Sequence, residues 1–160
     1  MKGAALYAFC DADYAGDVDS TKSRTGYCIY LNNSLVAWRS RAQGVVSRST
    51  FQSELIAQSH AAAEVCHLRY WLEELGFLQD GPVMLRSDNQ GSVDAANNPK
   101  QTPKLRHMRV AEAWIREAST DGRVTVQWLP GNQNPSDGFT KRLDRTLFNK
   151  YKVMLLRGIH

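Results

Sequence analysis

The sequence predicts an α/β domain: a five-stranded mixed sheet, with three antiparallel strands followed by parallel ones, flanked by helices. Three short runs rich in β-branched and aromatic residues (6–12, 25–31 and 34–40) succeed one another with only turn residues between them, as in a meander. Helical and strand periodicities then alternate, which requires crossovers and therefore parallel pairing. Acids also recur where strands end. Asp11 closes the apolar run 6–10, and Asp88 follows the run 82–86.

Each element has a local reason. Residues 6–12 form the first strand, with Tyr7, Phe9 and Asp11 on one face. Asp13 is assigned the opposite direction, as a supporting or turn residue in the polar stretch 13–24. The second strand, TGYCIYL, meets the third, SLVAWRS, across Asn32-Asn33, and Asn tolerates the positive φ of a tight turn. Ser49 and Gln52 match a capping box at the start of a long helix. Phe51, Leu55, Ala62, Val65, Leu68, Leu72 and Leu75 recur there at three- and four-residue spacing, and Gly76 stops the run. Residues 82–86 make the fourth strand, 89–97 a helix halted before Pro99, 104–119 an amphipathic helix, and 124–129 the fifth strand. Residues 130–135 form a loop, and a last helix begins near Ser136 and resumes through 147–156.

Composition bounds the function. The chain has 160 residues, 42% hydrophobic and 22% charged, enough for one domain with its own core. Residues 1–5 read as a tag or disordered start, 6–143 as the main domain and 144–160 as a C-terminal helix and tail. No apolar run reaches membrane-spanning length, and the start lacks the apolar segment of a signal peptide. The expectation is an intracellular, cytoplasmic protein that is not secreted. Cys10, Cys28 and Cys66 show no C-x-x-C spacing, so they read as free thiols rather than zinc ligands. The net charge is +4, with basic clusters at Lys22/Arg24, Arg39/Arg41/Arg48 and Lys100/Lys104/Arg106/Arg109. Such clusters suit a polyanion, although a solvated basic surface has the same composition.

Four carboxylates fall on strand ends or helix beginnings: Asp11, Glu54 in the second turn of the long helix, Asp88, and Asp137 after the fifth strand. Ligands in α/β sheets bind beyond the carboxyl ends of strands. Converging carboxylates repel one another, and divalent cations relieve that repulsion. An all-oxygen set suits Mg²⁺, with Mn²⁺ as a substitute, and two such ions can promote an in-line phosphoryl displacement. Taken singly, each acid has a plainer role: Asp88 as a helix cap, Asp137 as a charge favoured by a helix dipole. The opening D-A-D-Y-A-G is also like a calcium-binding loop, but Ala15 and Lys22 stand where that loop needs oxygen ligands.

The blocks FCDADYAGD, SRTGYCIYLNNSLVAWRSRAQ, SRSTFQSELIA, RSDNQGSV, RHMRVAEAWIRE and WLPGNQNPSDGFTK resemble, in that order, the ribonuclease H domain of copia-type LTR retrotransposon polyproteins. The resemblance runs from Leu6 to Leu143. It implies the ribonuclease H fold and hydrolysis of the RNA strand of RNA–DNA hybrids with two Mg²⁺ ions. It also implies a reverse transcriptase as neighbour in the parent polyprotein. Carried over block by block, it marks Asp11, Glu54, Asp88 and Asp137 as the catalytic and metal-binding acids, with Asp11 bridging the ions. Where cellular ribonucleases H carry W-x-x-G-H, this chain has Trp128-Leu129-Pro130-Gly131-Asn132, so a histidine's role there is missing or moved. Asn132, or Asn134, remains as an auxiliary candidate. His107 is another, in a block where Arg109 replaces the acid of relatives.

Ser53, Asn89 and Gln90 are candidates for reading a 2′-OH, and Arg39, Arg41, Gln43, Arg48, Lys104 and Arg106 for gripping phosphates. Trp38 and Trp128 are expected in the core rather than as stacking platforms. The isolated domain is expected to be a monomer. The competing classes are a catalytically weak or inactive domain that only binds nucleic acid, and a related two-metal nuclease acting on DNA.

Overall fold

A computed structural model describes residues 5–16, 21–98 and 109–157. Strands β1 (Leu6–Asp13), β2 (Arg24–Leu31) and β3 (Ser34–Ala42) form the antiparallel meander. Asn32 and Asn33 turn β2 into β3 with φ of 48° and 68°, the two positive values that a two-residue hairpin turn needs. Helix α1 (Thr50–Glu74) follows, then β4 (Val83–Ser87), α2 (Gln90–Asn97), α3 (Arg109–Thr120), β5 (Val124–Trp128) and α4 (Arg145–Arg157). The sheet order is β3-β2-β1-β4-β5, with β4 parallel to both β1 and β5. The predicted five-stranded mixed sheet is therefore present.

The ends of α1 are set by backbone chemistry. Ser49 accepts from the Gln52 N–H at 3.2 Å, as a capping box requires. The reciprocal bond lands one residue early, because the Gln52 side chain takes the Arg48 N–H at 2.7 Å. At the other end Gly76 adopts φ 86°, its N–H bonds Glu73 O, and the Phe77 N–H bonds Leu72 O. This is the Schellman closure that a glycine permits.

Two apolar layers sandwich the sheet. Ala8, Cys10, Ile29, Leu85 and Val126 meet Leu55, Ala61, Ala62 and Val65 of α1, with Ile115 and Ala118 of α3 behind them. Each fully buried aliphatic contributes about 1.5–3 kcal/mol by removal from water. On the opposite face Phe9, Cys28, Tyr30 and Leu129 form a smaller core, in which the Tyr7 and Tyr30 rings stack at 5.1 Å. Helix α4 covers that face through Leu155, whose carbonyl accepts from the Tyr30 hydroxyl at 3.2 Å.

Several expectations need correction. The last helix does not begin near Ser136: Pro135–Phe139 is a 3-10 turn, preceded by another at Gly131–Gln133, and α4 starts only at Arg145. Trp38 and Trp128 are not core residues, being 63% and 49% exposed. Both lie on edge strands, where one flank has no neighbouring strand to cover it. Asp13 does not oppose Asp11. Strand β1 runs through Asp13, residues two apart share a face, and Asp13 lines a groove with Thr140 and Lys141. Lys104, Arg106 and His107, and the first part of the predicted helix 104–119, lie outside the described residues. Among the described residues no helix is long and apolar enough to cross a membrane.

Candidate metal centre

The site grows out of strand register. Tyr7, Ala8 and Phe9 of β1 pair with Met84, Leu85 and Arg86 of β4. Two residues further along each strand, the same register brings Asp11 beside Asp88. Asp88 is not spent as a helix cap, because Asn89 caps α2 by accepting the Ser92 N–H at 2.9 Å. Glu54 arrives from the second turn of α1. The backbone N–H of Ala12 in β1 favours its ionised form, and its Oε2 is buried with no partner. Ligand oxygens of Asp11, Glu54 and Asp88 all lie within 4.8 Å of one another.

Asp137 joins from the 3-10 turn rather than from a helix start. Asn134 fixes that turn: its Nδ2 donates to Cys10 O at 2.9 Å, while its Oδ1 accepts from Ser136. The turn can approach the sheet because Gly26 stands opposite Asp11. A Cβ there would come within 2.6 Å of Thr140 Cγ2 and 3.0 Å of Ser136 O. Thr140 donates its hydroxyl to Asp11 Oδ2. Asp137 Oδ2 accepts from Lys141 Nζ at 2.8 Å and from the Tyr151 hydroxyl of α4 at 3.1 Å. Asp137 Oδ1 is buried and unpartnered, and Asp137 lies outside the three-carboxylate group.

The electrostatics are those of crowded, desolvated acids. Burial, then the charge of Asp137, pushes Asp11 up to about 7, against the Thr140 hydroxyl and Lys141. Burial, followed by Asp11 and Asp88, pushes Glu54 up to about 9. Asp88 is also raised, first by burial and then by Asp137. Lys141 is itself raised: burial works against its charge, but the bond to Asp137 and the field of Asp11 outweigh it. Oxygen-only donors and two orphaned buried carboxylate oxygens are what a hard divalent cation would satisfy.

Thus Asp11, Glu54 and Asp88 converge, and Asp137 stands beside them on its own anchors. The other candidates are scattered. Ser53 is wholly buried and donates to Thr50 O at 2.8 Å, so its hydroxyl is not offered to a substrate. Gln43 is a buried strut rather than a phosphate contact. It donates to Thr25 Oγ1 and Ser53 O and accepts from Ser47. Asn89 is half-buried beside Asp88, and exposed Gln90 bonds Asp94 at 2.7 Å. Arg39, Arg41 and Arg48 are exposed, and the first two line a groove with His60 and Glu64. Asn132 is exposed on its 3-10 turn, whereas Asn134 is consumed by structural bonds. Sequence reasoning missed Thr140, Lys141 and Tyr151. The FTK that follows Asp137 was a signal for the first two, and nothing local pointed to Tyr151.

Comparisons with known proteins bear on the relatives and the fold of the chain. No family model matches the chain. It is 34% identical over 155 residues to the retrovirus-related Pol polyprotein from transposon TNT 1-94 of Nicotiana tabacum, covering 97% of this chain and 11% of the relative. It is 30% identical over 147 residues to the polyprotein from transposon RE1 of Arabidopsis thaliana, covering 92% and 10%. Both of these relatives are retrovirus-related Pol polyproteins of plant transposons. The chain thus spans about a tenth of these curated relatives, which bear 11% and 10% coverage. Among solved structures it superposes on ribonuclease H1 of Halobacterium salinarum with a TM-score of 0.60 at 16% identity, covering 85% of this chain and 94% of that one. It also superposes on LC11-RNase H1 in complex with an RNA/DNA hybrid, with a TM-score of 0.60 at 14% identity, covering 84% and 93%. The fold is that of ribonuclease H.

Proposed function

We propose that this domain is a metal-dependent endoribonuclease that hydrolyses the RNA strand of RNA–DNA hybrids. The observation that carries the reading is the convergence of Asp11, Glu54 and Asp88 within 4.8 Å on a ribonuclease H fold. In this reading Asp11, Glu54 and Asp88 would hold divalent cations, and Asp137, with its unpartnered Oδ1, would join them. The chemistry such ions supply is activation of water and charge neutralisation on the phosphodiester, with Mg²⁺ the natural choice and Mn²⁺ a substitute.

The chain's own residues do the rest. Thr140 holds Asp11 in orientation through its hydroxyl. Asn89 and Gln90, beside Asp88, are placed to meet a 2′-OH, while Arg39, Arg41 and Arg48 offer charge to phosphates. Backbone contacts of this kind confer little sequence preference. In its natural setting the domain acts inside the cell, within a longer polyprotein and beside a reverse transcriptase. In isolation it is a monomer.

The test uses labelled RNA–DNA hybrid, duplex DNA and duplex RNA, each with Mg²⁺, Mn²⁺ or EDTA. Metal-dependent loss of only the hybrid's RNA supports the reading. Cleavage of duplex DNA replaces it with the DNA nuclease, and binding without cleavage replaces it with the inactive binding domain. Asp88→Asn is expected to abolish turnover while far-UV circular dichroism stays unchanged, and undiminished cleavage by that variant overturns the site.

A further inference from the structure

Helix α4 reaches the acidic cluster through one side chain. Tyr151 is 7% exposed, and its hydroxyl lies 3.1 Å from Asp137 Oδ2, an oxygen that also takes Lys141 Nζ at 2.8 Å. Tyr151 packs closely against the 3-10 turn because Gly138 carries no side chain. A Cβ there would come within 3.0 Å of Tyr151 Cβ and 3.2 Å of its Cγ. Two donors therefore occupy Oδ2. The remaining oxygen, Oδ1, is the buried and partnerless one.

An aspartate at the surface of a turn is free to rotate about χ2 and present either oxygen. Here a cation on one side and a phenol on the other fix the plane of the carboxylate, and only Oδ1 is left to meet a cation. Lys141 alone would not fix that plane, since an ammonium on a flexible four-carbon stem is a mobile point charge. The phenol, held in a buried ring, is the rigid partner.

We infer that Tyr151 is a positioning residue of the metal centre, holding Asp137 so that Oδ1 faces the incoming cation, and that α4 is thereby part of the site. This rests on the metal-dependent reading above. It adds that the fourth acid is set by a residue of the C-terminal helix, beyond the motif blocks of residues 6–143.

The experiment compares Tyr151→Phe with Tyr30→Phe. Tyr30→Phe removes the hydroxyl that ties α4 to the sheet at Leu155 O without touching Asp137. Calorimetric titration with Mg²⁺ and with Mn²⁺ is read beside kcat and KM on labelled hybrid and beside thermal melting in EDTA. With the phenol gone the carboxylate is no longer held in one orientation, and Tyr151→Phe is expected to weaken the weaker cation-binding step about tenfold or more. Its kcat should fall by a similar factor, with KM nearly unchanged. Tyr30→Phe should lower the melting temperature and leave cation affinity as in the parent. Equal cation affinities in parent and Tyr151→Phe overturn the inference while leaving the metal-dependent reading intact. So do equal losses of affinity in both variants, because a general loosening of α4 would then be the cause. A parent chain that binds neither ion overturns both.

Discussion

Glu54 is the residue on which stability and chemistry conflict most. Its carboxyl is buried, pushed up to about 9 by desolvation and by Asp11 and Asp88, and one oxygen has no partner. The folded state therefore holds this proton more tightly than the unfolded chain does, whose carboxyl titrates near 4.5. Between those values folding takes up a proton, so stability is greatest at the acid end and falls as pH rises toward about 9. Asp11, raised to about 7, adds to the same slope over its lower part. In EDTA the melting temperature is expected to be lower at pH 8 than at pH 5, as measured by circular dichroism. Glu54→Gln removes most of this penalty. It should raise the EDTA melting temperature at pH 8 by about 5 °C or more, at roughly 2–4 °C per kcal/mol for a chain of this size, while abolishing cleavage. A Gln variant that melts at or below the parent would show that the buried carboxyl carries no such cost.

At the scale of elements, the junction between β3 and α1 is held by one amide. Gln43 bridges Thr25 on β2 to Ser53 O on α1 and takes the Ser47 hydroxyl, all in the interior. Gln43→Ala leaves the buried Thr25 and Ser47 hydroxyls without this partner and is expected to cost roughly 2–3 kcal/mol, read from the urea midpoint. Gly26 fixes a second junction, where β2 meets the 3-10 turn bearing Asp137. Gly26→Ala forces a methyl to 2.6 Å from Thr140 Cγ2. It should displace the turn and cut cleavage by an order of magnitude or more, an effect larger than its loss of melting temperature would explain. A Gly26→Ala protein with parental kcat would show that the turn yields without moving Asp137. In sequence Gly26 was one residue of a β-rich run, and its neighbour in space lies more than a hundred residues away. Gln43 was misjudged for another reason: its position between the third strand and the long helix, among Arg39, Arg41 and Arg48, placed it with the phosphate contacts, and a polar side chain near arginines gives no local sign of being buried.

For the whole molecule, the acids come from four separate segments of the chain, so a cation bound among them would cross-link the tertiary fold. A ligand that binds only the folded chain stabilises it by about 2.7 kcal/mol at a hundred times its Kd. Millimolar Mg²⁺ is therefore expected to raise the melting temperature by several degrees at pH 8, and less at pH 5, where protons compete for the same carboxylates. An Mg²⁺ response that is equal at both pH values, or absent, would argue against a carboxylate-bound ion.

What the sequence determined by itself was the set of elements and the acids at their ends. The alternation of apolar residues, the Asn-Asn turn, the Ser49 cap and the Gly76 stop act over a few residues, and their physics is local. The order of strands and helices then confined Asp11 and Asp88 to the carboxyl ends of the neighbouring inner strands β1 and β4. Only the tertiary structure decided how each acid is held: Asp88 freed by Asn89, Asp11 bonded by Thr140, and Asp137 clasped by Lys141 and by Tyr151 from a helix that sequence periodicity assigned to the tail. It also decided which polar and aromatic residues are buried, placing Ser53 and Gln43 inside and Trp38 and Trp128 outside. Burial depends on which surfaces meet in space, and edge strands, close-approach glycines and contacts between distant segments leave no trace in local periodicity.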